Sequence, residues 1–213
     1  MIVSSVTGKN WLYKEYDSND IKNIAEKYSI SEIAAKLLSI RKKNINLLSE
    51  AKNVKPNKLT ACVLKRPRHN TIVKTLNEMG VKINFISDGD VSGVISVADP
   101  KTTIDIYIGI GGAPEGVLAA AALSCLECQM QTRLVFQNNN EKNRAKELGI
   151  NDLSQKYNIE DMVKGDVIFC ATGVTDGDLV KGISDLGDSF VSETLVLHKS
   201  SKTNKIIKNR TKK

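Results

Sequence analysis

The chain has 213 residues, enough for one large domain or two small ones, and its 41% hydrophobic and 26% charged content is that of an ordinary soluble globular protein. No stretch is long and apolar enough to span a bilayer, and the opening MIVSSVTGKNW lacks the form of a signal peptide, so neither a membrane span nor a leader is expected. The net charge of +7 resides in Lys199 to Lys213, which hold seven basic residues and no acid; the remainder is balanced at 24 basic against 24 acidic, so the tail reads as a solvated end and a nucleic-acid partner is not expected.

Residues 1 to about 50 differ in character from the rest of the chain. Trp11, Tyr13 and Tyr16 give an aromatic start, and Ser18 is placed to cap a short helix through Lys27. Ser29 with Glu32 forms a capping box for a second helix, in which Ile33, Leu37, Leu38 and Arg41 recur at helical spacing. Lys42, Lys43 and the Asn-rich stretch after them read as a loop. The segment predicts a small helical appendage without a catalytic constellation.

From Leu59 strands and helices alternate, the sign of an α/β domain with a largely parallel or mixed sheet. Leu59 to Lys65 predicts a strand, Asn70 to Met79 a helix stopped by Gly80, and Val81 to Ile86 a second strand. A helix then runs through about Ser96. Thr132 to Phe136 predicts a strand, Asn139 to Leu148 a polar helix closed by Gly149, and Val167 to Ala171 another strand. Phe190 to His198 and Lys202 to Ile207 alternate like a closing hairpin. Cys62 and Cys170 fall within strands as small hydrophobes, and Cys125 and Cys128 form a lone CxxC with no second pair or nearby His. All four read as structural cysteines of a reduced, cytoplasmic protein.

Between these elements lies TIDIYIGIGGAPEGVLAAAALSCL, Thr103 to Leu126. Ile104, Ile106 and Ile108 predict a buried strand, Gly109, Gly111 and Gly112 a turn, and Pro114 the start of a helix. From Val117 to Leu126 nearly every residue is apolar, so that helix is expected to be buried on most sides. A glycine turn feeding a helix N-terminus turns backbone N–H groups toward an anion. Glu115, in the first turn, adds a carboxylate there, which calls for a cation as well.

Ligands of open α/β sheets gather beyond the carboxyl ends of the strands. Those ends carry Arg66-Pro67-Arg68-His69, Asp88-Gly89-Asp90, the glycine turn with Glu115, and Ala171-Thr172-Gly173. Guanidiniums suit phosphate, aspartates suit sugar hydroxyls, and Glu115 offers a hard oxygen of the kind Mg²⁺ or Mn²⁺ prefers. Jointly they describe a pocket for a phosphorylated polyol with a divalent cation. Each piece alone has a plainer reading as a turn or, for Glu115, as a complement to the helix dipole. His69 and His198 are expected to be structural, and no Ser-His-Asp arrangement is expected. A dinucleotide fold is the main rival and is not expected, because the sixth position of the glycine pattern is Pro114, Glu115 would face the pyrophosphate, and no acid stands at ribose distance beyond it.

KRPRH, ISDGDVSGVI, DIYIGIGGAPEGVLAAAAL and FCATGVTDGDLVKGI closely resemble the C-terminal half of class II (GlpX-type) fructose-1,6-bisphosphatases, from about residue 48 to 213. Residues 1 to about 45 resemble the N-terminus of RecJ-type single-strand-specific exonucleases, without the Asp/His motifs that nuclease activity would need. The domains expected are therefore 1–47, of different origin, and 48–213. The bisphosphatase resemblance implies an inositol monophosphatase-like sugar-phosphatase fold, an α/β sandwich. It implies hydrolysis of the 1-phosphate of fructose 1,6-bisphosphate to fructose 6-phosphate, a step of gluconeogenesis, with Mn²⁺ or Mg²⁺, in a cytoplasmic homo-oligomer. By motif, Arg66, Pro67 and Arg68 would line the phosphate site, Asp88, Gly89 and Asp90 would contact the sugar, Gly112 would offer backbone, and Glu115 would bind metal. No catalytic residue is assigned. Motifs resembling GEGE and DPIEGT, which supply most metal ligands in that family, do not occur, so this chain alone is expected to turn substrate over poorly. Its alternative role is a non-catalytic module that binds a sugar phosphate or pairs with a bisphosphatase subunit.

Overall fold

The structure, a computed structural model, describes residues 2–4, 10–12 and 32–213, with side chains from Lys42 onward. The helix expected over Ser18 to Lys27 and the Ser29 cap lie outside the described residues. The chain divides into two units, Met1–Ala61 with Arg66–Ile83 and Cys62–Lys65 with Asn84–Lys213.

In the first unit, β1 (Ile2–Ser4) and β2 (Asn10–Leu12) pair antiparallel, Val3 opposite Trp11. Helix α1 (Glu32–Lys52) then runs unbroken through Lys42, Lys43 and the asparagines, where the composition predicts a loop. The reason is tertiary. Ile45 and Ser49, one turn apart, are buried and the helix packs on α2 (Asn70–Glu78), which buries Ile72, Thr75 and Leu76. Packing of that face outweighs the weak helix preference of Asn. Lys42 Nζ reaches Glu78 at 3.5 Å across the pair. The helix stops at Asn53, with φ 52°, and the Val54 N–H bonds back to Ser49 at 3.0 Å. Gly80, with φ 72°, closes α2 in the same way, the Val81 N–H bonding to Leu76 at 3.0 Å.

Strand β3 (Thr60–Leu64) is buried along its length from Ala61. The sheet order places it between β4 (Lys82–Ile86) and β5 (Ile106–Tyr107). Lys82 donates to Leu59 and Lys65 to Ile86, so β3 and β4 run in the same direction, the α2 crossover making that possible. Of the strand expected around Ile104 to Ile108 only β5 is regular, with Ile108 N–H donating to Cys62 at 3.1 Å. It lies at the end of its described sheet. The strand expected over Thr132 to Phe136 is likewise reduced, to β6 (Gln131–Thr132), which among the described residues pairs with β7 (Tyr157–Asn158).

In the second unit α3 (Asp90–Ile95) packs on α4 (Ala113–Cys125). The α4 residues Ala119, Ala120, Ala122, Leu123, Ser124 and Cys125 are buried, but Val117 is 45% and Leu118 51% exposed. The expectation of burial on most sides thus holds only for the C-terminal half; the first turns of α4 carry the glycine turn to the surface. Helix α5 (Asn139–Glu147) begins at Asn138, whose Oδ1 accepts from the Glu141 N–H at 3.0 Å, and stops before Gly149 with φ 88°. Helix α6 (Ile159–Met162) comes next.

The last sheet runs β11 (Thr203–Lys212), β10 (Ser189–His198), β8 (Ile168–Thr172), with β9 (Ser184–Asp185) also on β10. The basic tail is therefore no free end. It is paired with β10 residue for residue, from His198 opposite Thr203 to Ser189 opposite Lys212. Phe169, Leu195 and Leu197 from this sheet pack on Ile95, Ala122, Cys125 and Val180, and a second cluster joins Val94 to Ala119, Ala120, Leu123 and Ile159. The result is a mixed α/β protein, as expected, and none of its described helices is long and apolar enough to cross a membrane.

Candidate functional site

Asp88, Gly89 and Asp90 form the turn from β4 into α3. The Asp88 Oδ1 accepts from the Gly89 N–H at 2.9 Å, and Gly89 has φ 73°, a conformation open to glycine at no steric cost. The Asp90 Oδ1 accepts from Val91 N–H at 2.9 Å. Its other oxygen turns toward the glycine turn, since a methyl group on Gly111 would lie 3.0 Å from Asp90 Oδ2. Gly112, with φ −71° and ψ 154°, precedes the first turn of α4, in which Pro114 sits, and the Gly116 N–H donates back to it at 3.1 Å. The Glu115 carboxylate folds over Gly112, occupying the space that a Cβ there would take. The structure thus brings Asp90 to Gly111 and Glu115 to Gly112: two carboxylates border a bare stretch of backbone at the start of a helix.

Arg66, Pro67 and Arg68 belong to the first unit, at the end of β3. Half-buried Arg66 precedes a short 3-10 turn, Pro67–His69, in which Arg68 is exposed and His69 only 1% exposed. The burial of His69 agrees with a structural role. Among the described residues no group of three or more His, Cys, Asp or Glu side chains is placed to hold a metal ion. Asp90 and Glu115 offer the hard oxygens a divalent cation takes, and with two protein ligands the rest of a six-coordinate shell would fall to water and substrate phosphate. The described residues therefore do not fit a self-sufficient metal centre.

The fourth strand end, Ala171-Thr172-Gly173, leads into a tight loop. The Thr172 and Thr194 hydroxyls meet at 2.9 Å, and the Gly173 N–H donates to Glu193 at 3.0 Å. Gly173 lies against the Lys181 backbone and Gly182 against Thr175, so neither has room for a side chain. The Glu193 carboxylate accepts from the Lys181 N–H and pairs with Lys208, both at 2.9 Å, and these contacts hold its carboxyl below the ordinary range. Glu193 is engaged in fastening the loop.

A Ser-His-Asp cluster, not expected from the sequence, stands at the β10–β11 turn. His198 Nε2 meets Asp166 Oδ2 at 2.9 Å and its Nδ1 meets Ser201 Oγ at 2.7 Å, while Ser200 Oγ donates to Asp166 at 2.8 Å. Asp166 is brought in because His198 pairs with Ile168 in the β8–β10 register. The hydrogen bonds from His198, then from Ser200, lower the Asp166 carboxyl to about 2. Ser201 also bonds Thr203 at 2.7 Å, so the cluster ties the turn to the segment before β8. All four cysteines are free. Burial, with the Asp178 charge second, pushes the Cys62 thiol up to about 11, and burial also raises Cys125 and Cys128, so the CxxC pair is held as unreactive thiols. Cys170 is in a strand as expected but exposed, because it alternates with the buried Phe169.

A family model described as bacterial fructose-1,6-bisphosphatase, glpX-encoded, matches residues 5–211. The chain belongs to this family. The GlpX match extends over the segment that resembles an exonuclease, so the exonuclease resemblance is not borne out. A fructose-1,6-bisphosphatase class 2 of Haemophilus influenzae is 40% identical over 159 residues, 68% of this chain and 47% of the relative. A D-fructose 1,6-bisphosphatase class 2/sedoheptulose 1,7-bisphosphatase of Synechococcus sp. strain JA-3-3Ab is 35% identical over 174 residues, 76% of this chain and 50% of the relative. The chain spans about half the length of the curated relatives it matches.

Proposed function

We propose that this GlpX-family chain binds fructose 1,6-bisphosphate and serves hydrolysis of its 1-phosphate, giving fructose 6-phosphate and inorganic phosphate. The observation that carries the reading is the pair of carboxylates, Asp90 and Glu115, set against the side-chain-free backbone of Gly111 and Gly112. Backbone N–H groups at a helix start suit a phosphate oxygen. The acceptor-only carboxylates of Asp88 and Asp90 suit the hydroxyls of the sugar. Arg66 and Arg68, with Pro67 fixing the turn between them, supply forked donors for a phosphate. Gly89 permits the Asp88–Asp90 turn. Glu115 is assigned as one ligand of a divalent cation, Mn²⁺ or Mg²⁺, and no step is routed through that ion because the described residues do not complete its site. The four free cysteines accord with a reduced cytoplasmic setting, and a homo-oligomer is proposed from the family.

The shortage of metal ligands favours a second reading, in which the chain binds the sugar phosphate without turning it over. One experiment separates the two. The purified chain is titrated calorimetrically with fructose 1,6-bisphosphate, and phosphate release is followed with Mn²⁺ present. Binding with phosphate release at an ordinary enzyme rate establishes hydrolysis by this chain alone. Binding without release supports the second reading, and absence of binding refutes both.

A further inference from the structure

The ring of Tyr107 is wedged between two glycines. A methyl group on Gly93, in α3, would lie 3.0 Å from Tyr107 Cε2 and 3.2 Å from Cδ2, on one edge of the ring. A methyl group on Gly109, in the glycine turn, would lie 2.9 Å from the hydroxyl and 3.0 Å from Cε1, on the opposite edge. Both distances are shorter than ordinary side-chain contact, so the ring fills the gap between the two backbones. Gly93 is further confined by Ile86 Cδ1, 2.5 Å from its would-be methyl. The body of the ring packs on the cluster of Val94, Ala119, Ala120, Leu123 and Ile159, which joins α3 to α4. Tyr107 is half-buried there, and β5, which carries it, is anchored to β3 by the bond from Ile108 to Cys62.

These contacts link the two halves of the candidate site. Gly93 lies three residues after Asp90, on the same short helix. Gly109 lies two residues before Gly111, the residue that Asp90 Oδ2 approaches. We infer that Tyr107 is a positioning residue, whose ring sets the spacing between the Asp90 helix and the glycine turn and so fixes where Asp90, Gly112 and Glu115 stand relative to one another. The inference rests on the function proposed for that turn. The ring acts as a spacer in a packed interior, where a gap or an added methyl is transmitted as displacement because the packing is dense. Displacement of about 1 Å at a binding constellation costs orders of magnitude in function.

The test compares Tyr107→Phe, Tyr107→Leu and Gly109→Ala in the full chain. Calorimetric titration with fructose 1,6-bisphosphate and amide hydrogen exchange at Gly93, Ile108 and Gly116, the hydrogen-bonded amides that flank the turn, are both read in urea-free buffer at a pH where each variant is folded. Phenylalanine keeps the ring carbons against both glycines and loses only the hydroxyl contact with Gly109, so its affinity falls by clearly less than that of Tyr107→Leu. Tyr107→Leu removes the spacer and Gly109→Ala displaces it, so each weakens binding by about tenfold or more. Exchange at those amides accelerates by about tenfold or more in Tyr107→Leu and not in Tyr107→Phe. Equal affinity and equal exchange in Tyr107→Leu and the parent overturn the inference, as does a loss in Tyr107→Phe as large as in Tyr107→Leu. If the parent chain binds no bisphosphate, the functional reading fails, and the exchange comparison alone decides the spacer role.

Discussion

Gly112→Ala separates stability from function at one atom. The backbone at Gly112, φ −71° and ψ 154°, is open to any residue, so no strain arises from the substitution. Replacing Gly by Ala at a compatible position stabilises by about 0.4–1 kcal/mol through the unfolded chain. Alanine is a poorer residue than glycine immediately before a helix, a loss of about 0.5–1 kcal/mol. The two offset, and the stability read from urea unfolding changes by no more than about 0.5 kcal/mol. The new methyl, however, takes the space held by the Glu115 carboxylate, which is the free end of a flexible side chain and swings away. Ligand approach to the Gly112 backbone is blocked at the same time. Affinity for fructose 1,6-bisphosphate, measured by calorimetry, falls by about tenfold or more, equivalent to about 1.4 kcal/mol. Unchanged affinity refutes the placement of substrate at Gly112. A stability loss above about 1.5 kcal/mol refutes the assignment of the displaced atom to a mobile side chain.

Four other substitutions and treatments have defined outcomes. Gly182→Ala places a methyl 2.6–2.8 Å from the backbone of Thr175 and Asp176, which cannot swing aside; urea unfolding shows a loss of about 1–3 kcal/mol. Leu197→Ala empties a side chain only 1% exposed in the sheet core, and the same assay gives a loss of about 2–5 kcal/mol. Asp166, held at about 2 by His198 and Ser200, has a folded value below its unfolded one. Its contribution is therefore present above the ordinary carboxylate range and is lost as pH falls toward 2, and Asp166→Asn flattens that part of the stability profile. With a disulfide reagent at pH 8, exposed Cys170 reacts first, while Cys62, Cys125 and Cys128, raised by burial, lag behind.

The alternation of strands and helices from Leu59 was legible because glycines with positive φ, Gly80 and Gly149, punctuate it and local pattern suffices. Strand length was not, since β5 and β6 are regular over two residues each where the β-branched pattern runs longer, and the extent of pairing is set by a partner strand that no local pattern records. The run through Lys43 to Asn46 reads as a loop because its composition is polar; the buried face of Ile45 and Ser49, on a helix that packs on α2, is what the composition does not show. The chemistry of the site was legible residue by residue in Asp90, Gly112 and Glu115, while the pairing of each carboxylate with a particular glycine needed the α3–α4 packing. The His198 cluster was invisible, because a strand register brings Asp166 to it from 32 residues away.

The paired tail changes what its charge does. Strand β11 ends the described sheet and carries Lys205, Lys208, Arg210 and Lys212 along an exposed ribbon. An open ribbon edge is an invitation to stack with another chain, and like charges spaced along it turn that invitation into repulsion. Glu193 of the neighbouring strand and Asp188, just before that strand, neutralise Lys208 and Arg210 at 2.9 and 3.2 Å, which leaves Lys205 and Lys212 as the stronger repelling points. Because such repulsion fades within about 10 Å at 0.1 M salt, the ribbon keeps copies apart best in dilute electrolyte. Lys205 and Lys212 act as a colloidal guard on that sheet edge.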